Sequence, residues 1–449
     1  MCYYAMKKLV KYLIYFWIYF FAGISLMGIT RHVYLDGHFV NGKSKDIVTF
    51  LASLPSNIYH FKDLNECQFL TKNEFNLKNG FTYNRKNIPN DYILISVWDN
   101  NMDKSIVKLI SIKSGKTIYK WNIPLDQIIS EYNNSFVKNR KIEFTINSTR
   151  IYHPFLNNDG SIIFGAGGLY KVDKNSNFIW KITHLRRHHS IEKENQINYW
   201  TCGDNNSQKN VIKYDLNDDC IYKINGNTGE ILFKKSIFEI LVENKINIGE
   251  ILTNTGAEDI NKGNIDYFHI NDIEPVLSNS KYWQKGDLFI SLRNRNMIFL
   301  YRPNENRIIW KQIGPWLKQH DIDIINPTQI GVFGNDVIDG KFTSKNNYFI
   351  NKNNNHYIFD FEKNTTKTNY NELFSKNKIQ TILEGRSKVI DKKGIFIEET
   401  CGGRLLFGDE KGLIWTYVEK VDENHLSMFS WSRYITEEEF SKFTFLKNK

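Results

Sequence analysis

The chain has 449 residues, of which 41% are hydrophobic and 14% aromatic, and its formal net charge is +10. This composition is typical of a folded globular protein and excludes an intrinsically disordered one. The positive charge first suggests a nucleic-acid-binding protein, but the lysines are dispersed. The sequence also lacks zinc-finger spacing, an RNA-recognition signature and a basic helix. We therefore expect no nucleic-acid partner and interpret the charge as a basic, solvated surface.

The first segment, residues 1–32, has the pattern of a cytoplasmic tip followed by a membrane anchor. Three lysines between positions 7 and 11 precede an uncharged, mostly apolar and aromatic stretch over residues 12–30, which Arg31 closes. About twenty such residues can span a bilayer, with the basic flank in the cytoplasm. The alternative is a cleaved signal peptide. Because no small-x-small cleavage site precedes Arg31, we favour a retained, single-pass signal-anchor in the inner membrane, with the rest of the chain on the periplasmic or extracytoplasmic side.

The five cysteines give limited information about the compartment. No C-x-x-C pair occurs, so the usual signatures of zinc sites and thioredoxin-type sites are lacking. Cys202 and Cys220 lie close enough in sequence to bridge neighbouring strands in an oxidising compartment. The alternative is that both are buried free thiols.

A unit of strand, turn and strand recurs from residue 91 to the C-terminus, after a predicted stalk and packing segment over residues 33–90 with a short helical pattern at 46–52. Each clear copy alternates apolar and polar residues around a turn, which is typical of an antiparallel hairpin. Because one hairpin cannot bury its apolar face alone, radial stacking of the copies would supply the core. The sequence therefore predicts an all-β fold, a six-bladed β-propeller over residues 91–449, with five or seven blades as alternatives. The copies cover residues 107–121, 169–180, 221–233, 298–310, 357–361 and 405–415.

Polar and cationic clusters lie where the strands of these repeats start or stop. His188 and His189, His269 and His320 each precede a strand-rich stretch, at a spacing of roughly one repeat, and Arg293 follows a strand in the same repeat as His269. Equivalent positions of successive blades converge on the central channel, so we expect these side chains to meet at its mouth. Imidazoles gathered with a guanidinium would form a pocket for an oxyanion.

Four segments of this region resemble, in their order and spacing, the bacterial arylsulfate sulfotransferases and their sulfotransferase-like relatives. They are HINDIEP at 269–275, GDLFISLR at 286–293, IWKQIG at 309–314 and QHD at 319–321. The resemblance extends over roughly residues 90–420. It implies an exported, six-bladed propeller that transfers a sulfuryl group from an aryl sulfate to a phenol or other hydroxyl acceptor, without a nucleotide sulfate donor.

The resemblance also implies roles for individual residues. His320 occupies the position of the nucleophile, which would form a sulfohistidine intermediate, and His269, Arg293 and one of His188 and His189 occupy sulfate-binding positions. The chemistry is consistent with these roles. A sulfuryl group in transfer carries negative charge on its non-bridging oxygens, and Arg offers a planar, permanently charged fork to such oxygens. A neutral imidazole is a competent nucleophile.

Neighbouring polar residues have more than one interpretation. Arg295 is the alternative to Arg293 at the strand end, and we expect Asn271 among the substrate-binding residues. Asp272 and Glu274 either orient His269 or hold the loop. Asp321 either fixes the tautomer of a neighbouring imidazole or belongs to a turn. The remaining histidines that we interpret as solvated or hydrogen-bonded residues are His153, His184, His356 and His425.

Two other kinds of function deserve comparison with the sulfotransferase. Three imidazoles would suit a zinc or copper site, but Arg293 beside a divalent ion argues against it, and we expect neither a metal nor a cofactor. The second is a non-catalytic propeller that binds sulfated or other anionic ligands outside the cytoplasm, because a fold does not fix a function. The joint presence of His269, Arg293 and His320 favours the enzyme, an arylsulfate sulfotransferase.

Overall fold

The structure is a computed structural model that describes residues 15–17, 19, 20, 23, 69–136, 145–185, 187–204, 216–247, 265–338 and 348–447. The chain divides into two compact units, Met1–Gln68 and Phe69–Lys449. In the first unit the few described residues are helical. Most of the predicted anchor and the helical pattern at 46–52 lie outside the described residues. Within the described part of the chain, no helix is both long and apolar enough to cross a membrane.

The second unit is a β-propeller with six antiparallel blades, as the recurring hairpins predicted. Among the described residues, the strands outside the blades form three small pairs, and four short helices lie between or after the blades. Blades 1 to 3 contain these strands: in blade 1, β3 (Tyr92–Asp99), β4 (Lys104–Ser111) and β5 (Thr117–Trp121); in blade 2, β6 (Tyr152–Leu156), β7 (Ile162–Ala166), β8 (Gly168–Val172) and β9 (Phe178–Ile182); in blade 3, β10 (Arg187–Lys193), β11 (Asn198–Asp204), β13 (Asp219–Asn225) and β14 (Ile231–Ser236). Blades 4 to 6 contain these strands: in blade 4, β16 (Ile270–Pro275), β17 (Leu288–Leu292), β18 (Met297–Arg302) and β19 (Arg307–Ile313); in blade 5, β20 (Ile322–Asn326), β21 (Gln329–Gly334), β24 (Asn355–Asp360) and β25 (Thr365–Lys367); in blade 6, β26 (Arg386–Ile390), β27 (Gly394–Glu399), β28 (Arg404–Asp409) and β29 (Gly412–Val418). The remaining strands are β1 (Leu70–Lys72), β2 (Gly80–Tyr83), β12 (Leu216–Asn217), β15 (Ile265–Asp266), β22 (Val337–Ile338), β23 (Tyr348–Phe349), β30 (His425–Ser427) and β31 (Arg433–Ile435). The helices are α1 (Leu125–Phe136), α2 (Ile237–Glu243), α3 (Asn371–Lys376) and α4 (Glu437–Ser441).

Strands from the two ends of the propeller unit close its ring. β31 is the innermost strand of blade 1, where it pairs with β3. β2 pairs with β29 and adds a fifth, outermost strand to blade 6. The compact unit therefore begins at Phe69, earlier than the predicted boundary at residue 91. The sequence pattern missed this because β1 and β2 pair with strands near the C-terminus, and such distant partners leave no local signal.

The repeat detected in the sequence corresponds to the outer hairpin of each blade, such as β4–β5 and β18–β19. The middle strands of the blades are covered on both faces, so that β3 and β7 are buried almost throughout, whereas the outermost β14 alternates half-buried and exposed residues. Trp residues of the outer hairpins connect adjacent blades. Trp121 Nε1 donates to Gly160 O and Trp180 Nε1 donates to Gly226 O, both at 2.9 Å. Each bond satisfies a buried indole and fixes a turn of the next blade.

The two central cysteines are free thiols. Cys202 lies on β11 opposite Ile221, and Cys220 lies on β13 opposite Gly203, so the two residues are offset by one position in the ladder. Both side chains are buried. Of the two alternatives that the sequence left open, the structure therefore shows buried free thiols. These strands are held by the sheet and by burial, without a disulfide.

The innermost strands define the channel. They are β31, β6, β10, β16, β20 and β26, and neighbouring ones such as β10 and β16 lie side by side. Because side chains alternate along a strand, every second residue of an innermost strand faces the channel. The segments that lead into these strands are consequently gathered at one mouth of the channel, where the predicted site residues lie.

Candidate active site

Four imidazoles from four successive blades meet at this mouth. His153 lies in β6 and His189 in β10, and His269 and His320 come just before β16 and β20. The ring centroid of His189 is 5.8 Å from that of His153, 5.0 Å from that of His269 and 5.6 Å from that of His320. The predicted convergence of His189, His269 and His320 is thus seen in the structure. His153, which we interpreted as an ordinary solvated or hydrogen-bonded residue, is a fourth member and is fully buried.

Irregular strand starts turn these imidazoles toward one another. The pairing register shifts between Tyr152 and Phe155, between Arg187 and Ile191, and between Ile270 and Asp272. The histidines at or beside these shifts have positive φ angles, +50° at His153, +26° at His189 and +53° at His269. Bulges of this kind re-aim a side chain, and left-handed backbone in bulky residues clusters at functional sites. The strained backbone therefore indicates that the mouth is a functional site and not an ordinary set of strand ends.

The structure distinguishes the neighbouring histidines only in part. His189 Nε2 lies 3.0 Å from His269 Nε2, so one of the two nitrogens donates to the other. The side chain of His188 lies outside the described residues. His269 Nδ1 lies 2.5 Å from Asp266 Oδ2, which accepts its proton and fixes the ring. Asp266 was missed, although its position three residues before His269 was a usable signal. In the described ranges, no three His, Cys, Asp or Glu side chains are arranged to hold a metal ion.

His320 is held in one tautomer. Asn335 donates its two amide hydrogens to Thr381 O at 3.1 Å and Glu384 O at 2.9 Å, so that its Oδ1 faces the imidazole. His320 Nδ1 lies 2.6 Å from that oxygen and 3.1 Å from Lys318 O. Both neighbours are acceptors, so Nδ1 carries the proton and Nε2 has the lone pair. The Glu384 N–H donates to this Nε2 at 3.1 Å.

The surroundings of His320 keep its ring neutral. Burial is the main cause that lowers the pKa of His320 well below its usual value, and the positive charge of Arg293 lowers it further. Arg293 follows β17, and its backbone N–H donates to His269 O at 2.9 Å. Its guanidinium donates to Asn294 Oδ1 at 2.8 Å. Among the described residues it pairs with no carboxylate, so its charge is available to an anion at the mouth.

Two predicted substrate-binding residues lie elsewhere. The Arg295 Nε donates to Tyr267 O at 2.6 Å, and its guanidinium lies over the Tyr267 ring, 5.7 Å from the centroid. It packs away from the imidazoles, so Arg293 is the arginine that the structure brings to them. Asn271 is fully buried and donates to Gln319 O at 2.8 Å. This bond fixes the backbone beside His320. The bulge at the start of β16 changes which residues face the channel, and it leaves Asn271 beneath the site.

The acidic residues of the motifs hold the innermost strands together. Asp272 accepts from Ser190 Oγ at 2.7 Å and from Ile322 N at 2.9 Å, which connects three blades. Burial raises the pKa of Asp272 to about 7. Asp321 accepts from the backbone N–H of Ser387 in β26 at 3.1 Å, and it forms an ion pair with Arg386 at 3.3 Å. For Asp272 these contacts show the supporting role, whereas Asp321 connects to β26, which is neither of the two roles that the sequence left open for it.

Three further residues complete the mouth. The buried Arg150 forms an ion pair with Glu384 Oε1 and donates to Phe429 O at 3.3 Å. The Trp431 ring stacks on His153 with centroids 4.4 Å apart. Sequence reasoning missed them because it searched for histidines. Glu384 and Trp431 nevertheless stand just before the innermost strands of blades 6 and 1, and that position was the available signal.

Comparison with known proteins identifies one family. A model of the arylsulfotransferase (ASST) family matches residues 154–420, which is more than half of the chain. A search of curated proteins found no significant match. Among solved structures, a protein of unknown function from Bacteroides caccae is 12% identical, with 77% of this chain and 99% of that chain covered and a TM-score of 0.47. BamB from Moraxella catarrhalis is 7% identical, with 76% and 82% covered and a TM-score of 0.33. Similarities this weak carry no inference about function.

Proposed function

Because this chain belongs to the arylsulfotransferase (ASST) family, we propose that it moves a sulfuryl group from an aryl sulfate to a hydroxyl acceptor, with His320 as the nucleophile. Family membership supports an arylsulfotransferase-like activity in general. The observation that carries the finer proposal is the tautomer of His320, whose Nδ1 is committed to two acceptors and whose Nε2 has its lone pair. A nitrogen nucleophile needs such a neutral ring with a defined lone pair.

In the first half of the proposed reaction, His320 Nε2 exchanges its hydrogen bond from Glu384 N–H for the sulfur of the aryl sulfate, which it attacks with the same lone pair. The nitrogen–sulfur bond forms, the bond between sulfur and the aryl oxygen breaks, and the aryl oxide leaves with the electron pair. His320 then carries the sulfuryl group as a sulfohistidine. Asn335 Oδ1, 2.6 Å from His320 Nδ1, stabilises the positive charge that develops on the ring.

The sulfuryl oxygens need positive partners throughout the transfer. Arg293 supports this role because its charge acts on His320 and no carboxylate of the described residues neutralises it. His189 and His269, whose Nε2 atoms are 3.0 Å apart, lie at the same mouth, and the N–H that they share can turn to a sulfate oxygen when the donor binds. These contacts favour sulfate binding by His189, His269 and Arg293.

In the second half, the oxygen of a phenol or another hydroxyl acceptor attacks the sulfur. The nitrogen–sulfur bond breaks, and its electron pair returns to His320 Nε2. The donor's aryl group leaves before the acceptor reacts, so the kinetics should be ping-pong, and no nucleotide sulfate donor is needed. We also propose that the reaction occurs outside the cytoplasm, with the chain held in the inner membrane by its apolar N-terminal stretch over residues 12–30.

Turnover of 4-nitrophenyl sulfate with phenol tests the proposal. Release of 4-nitrophenolate by the wild-type chain should depend on phenol, and a ³⁵S-labelled donor should leave label on the denatured protein. In His320→Ala we expect no trapped label and a loss of turnover of at least about 10³-fold. The matched control is His425→Ala, because His425 is well separated in sequence and bonded to Asp422 on the surface.

Trapping of label by His320→Ala at the wild-type level would refute the nucleophile assignment. The second candidate function is a non-catalytic propeller that binds sulfated or other anionic ligands. The charge of Arg293, which no described carboxylate neutralises, would serve that function as well. Binding of 4-nitrophenyl sulfate by the wild-type chain without any turnover would favour this candidate over the enzyme.

A further inference from the structure

The backbone of Glu384 contacts the atom that is proposed to carry the sulfuryl group, and its side chain lies in the wall of the same mouth. Its backbone N–H donates to His320 Nε2 at 3.1 Å. Its φ angle is +51°, an unusual backbone for a glutamate just before β26. Its carboxylate reaches Arg150 near the start of β6, and 16% of the side-chain surface stays exposed. The side chain therefore belongs to the same mouth as the four imidazoles.

The carboxylate of Glu384 has spare capacity to accept a hydrogen bond. Oε1 pairs with Arg150, whereas Oε2 is buried and has no hydrogen-bond partner among the described residues. A buried oxygen without a partner costs free energy and calls for an explanation. Of the other carboxylates near the mouth, Asp266 holds His269, and Asp272 accepts from Ser190 and a backbone N–H, whereas Glu384 is the acidic residue whose backbone is bonded to His320 Nε2. Glu384 is thus the carboxylate best placed to take a proton.

We propose that Glu384 is the base that removes the proton from the hydroxyl acceptor while the acceptor attacks the sulfuryl group on His320. This assignment rests on the proposed function. It adds a catalytic residue to the one that carries the sulfuryl group, because an acceptor hydroxyl must lose its proton for the transfer to be complete.

The step balances as follows for atoms and electrons. The acceptor oxygen forms the oxygen–sulfur bond, the nitrogen–sulfur bond breaks, and its electron pair returns to His320 Nε2. The hydroxyl proton moves to the Glu384 carboxylate. Glu384 then returns this proton to the aryl oxide that the next donor molecule releases, or to water when that oxide is a weak base. One carboxyl group thereby serves both halves of the cycle.

The electrostatics of the site favour this exchange. Burial is the main cause that raises the pKa of Glu384 above its usual value, and Glu398 adds to the rise, whereas Arg150 opposes it. A carboxylate of higher basicity takes a proton from a phenol more readily. The positive charge of Arg150 favours the ionised form of the carboxylate, which is the form that can accept a proton.

The test separates formation of the sulfuryl-enzyme from its transfer. With 4-nitrophenyl sulfate as donor, the leaving group needs no proton, so Glu384→Gln should release the first equivalent of 4-nitrophenolate at the wild-type rate. Transfer to phenol should then fall on the order of 10²-fold. Transfer to pentafluorophenol, which is already ionised at pH 8, should stay within about threefold of wild type, because it has no proton to remove.

Two further variants guard against a merely structural effect. Glu399→Gln removes a buried carboxylate that is paired with Arg404 in the same blade, and it should leave both steps unchanged. Glu384→Asp keeps the carboxylate and should restore part of the transfer to phenol. If Glu384→Gln proves unstable, the comparison of phenol with pentafluorophenol in Glu384→Asp provides the same test.

Several results would overturn the assignment. Wild-type transfer to phenol by Glu384→Gln would mean that another group, such as a neighbouring imidazole, takes the proton. Equal loss of the first 4-nitrophenolate release and of transfer to both acceptors would make Glu384 a positioning residue for His320. If the wild-type chain itself forms no sulfuryl-enzyme, the proposed function fails, and that outcome is recognisable without any variant.

Discussion

The two halves of the channel are built from the same innermost strands but carry different chemistry. The mouth holds imidazoles and the positive charge of Arg293, which pairs with no carboxylate among the described residues. Deeper in the channel, alternation along the strands brings charged pairs to the channel face. Three ion pairs join strands from different blades in this deeper half: Arg386–Asp321 at 3.3 Å, Lys388–Asp323 at 3.2 Å and Arg433–Glu192 at 3.0 Å.

This difference separates support from reactivity. The deeper half compensates its charges internally, so its cations are committed to carboxylates and fix the strands relative to one another. A cavity of about 520 Å³ lies beyond these pairs, with Glu192, Glu274, Lys388 and Arg433 in its wall. At the mouth Arg293 and His320 are positioned by the neutral partners Asn294 and Asn335. Neutral partners orient a group and leave its charge or lone pair available to a ligand.

The largest loss of unfolding free energy should come from removing a charged side chain from the ion pairs of the deeper half. Arg386→Met leaves Asp321 and Asp323 buried without their shared cation, and removal of one partner from a buried ion pair costs about 3–5 kcal/mol. Urea unfolding of the full chain measures the loss. Lys388→Met is the control, because the lysine side chain is 47% exposed and Asp323 keeps Arg386. A loss as large for Lys388→Met as for Arg386→Met would contradict the central role of Arg386.

The mouth should respond in activity and not in stability. Asn335→Ala removes the nearer of the two acceptors of the proton on His320 Nδ1, so kcat/KM should fall about 10- to 100-fold at every pH. Asn335→Asp still accepts the proton but adds a negative charge that raises the pKa of His320. Its activity should therefore be lost at a higher pH on acidification than in the wild type. Identical pH profiles for the two variants would argue against the tautomer assignment.

An interior histidine offers a comparison with those of the mouth. His356 is fully buried, its Nδ1 lies 2.7 Å from Ser387 Oγ, and burial lowers its pKa to about 4. Between pH 6.5 and 4 the unfolded chain binds this proton and the folded protein does not, so the group costs stability as the pH falls. The cost should reach roughly 2 kcal/mol at pH 5.

The variant His356→Asn isolates the contribution of His356 to the pH dependence of stability, because its amide preserves a polar contact to Ser387 and does not titrate. Urea unfolding at pH 7.5 and pH 5 should show that the wild type loses roughly 2 kcal/mol more than the variant on acidification. The other buried titratable groups, including His320 and Asp272, are common to both proteins and cancel in the difference. An equal pH dependence in both chains would mean that His356 is protonated in the folded state.

The sequence predicted the features that depend on local pattern. Hairpin alternation gave six blades, and the spacing of His189, His269 and His320 by roughly one repeat predicted their convergence. Asn335 and Glu384 escaped prediction because they reach His320 from segments that lie 15 and 64 residues away. Such contacts depend on the packing of whole blades, which leaves no periodic trace in the sequence.

Backbone irregularity limited the prediction in a second way. In a regular strand starting at His269, His269 and Asn271 would lie on the same face. The register shift between Ile270 and Asp272 breaks this alternation and buries Asn271. A bulge has no fixed sequence signature here, since it is stabilised by contacts between blades such as the bond from Asn271 to Gln319 O.

The smallest effect should come from the arginine that the structure separates from the site. Arg295→Met removes the hydrogen bond to Tyr267 O but keeps most of the packing on the ring, so we expect a loss of about 1 kcal/mol in unfolding free energy. Its KM for 4-nitrophenyl sulfate should remain at the wild-type value. Arg293→Met is the matched substitution at the mouth, and it should weaken donor binding without a comparable loss of stability. The comparison therefore separates the two arginines, and the opposite result would assign the anion to Arg295.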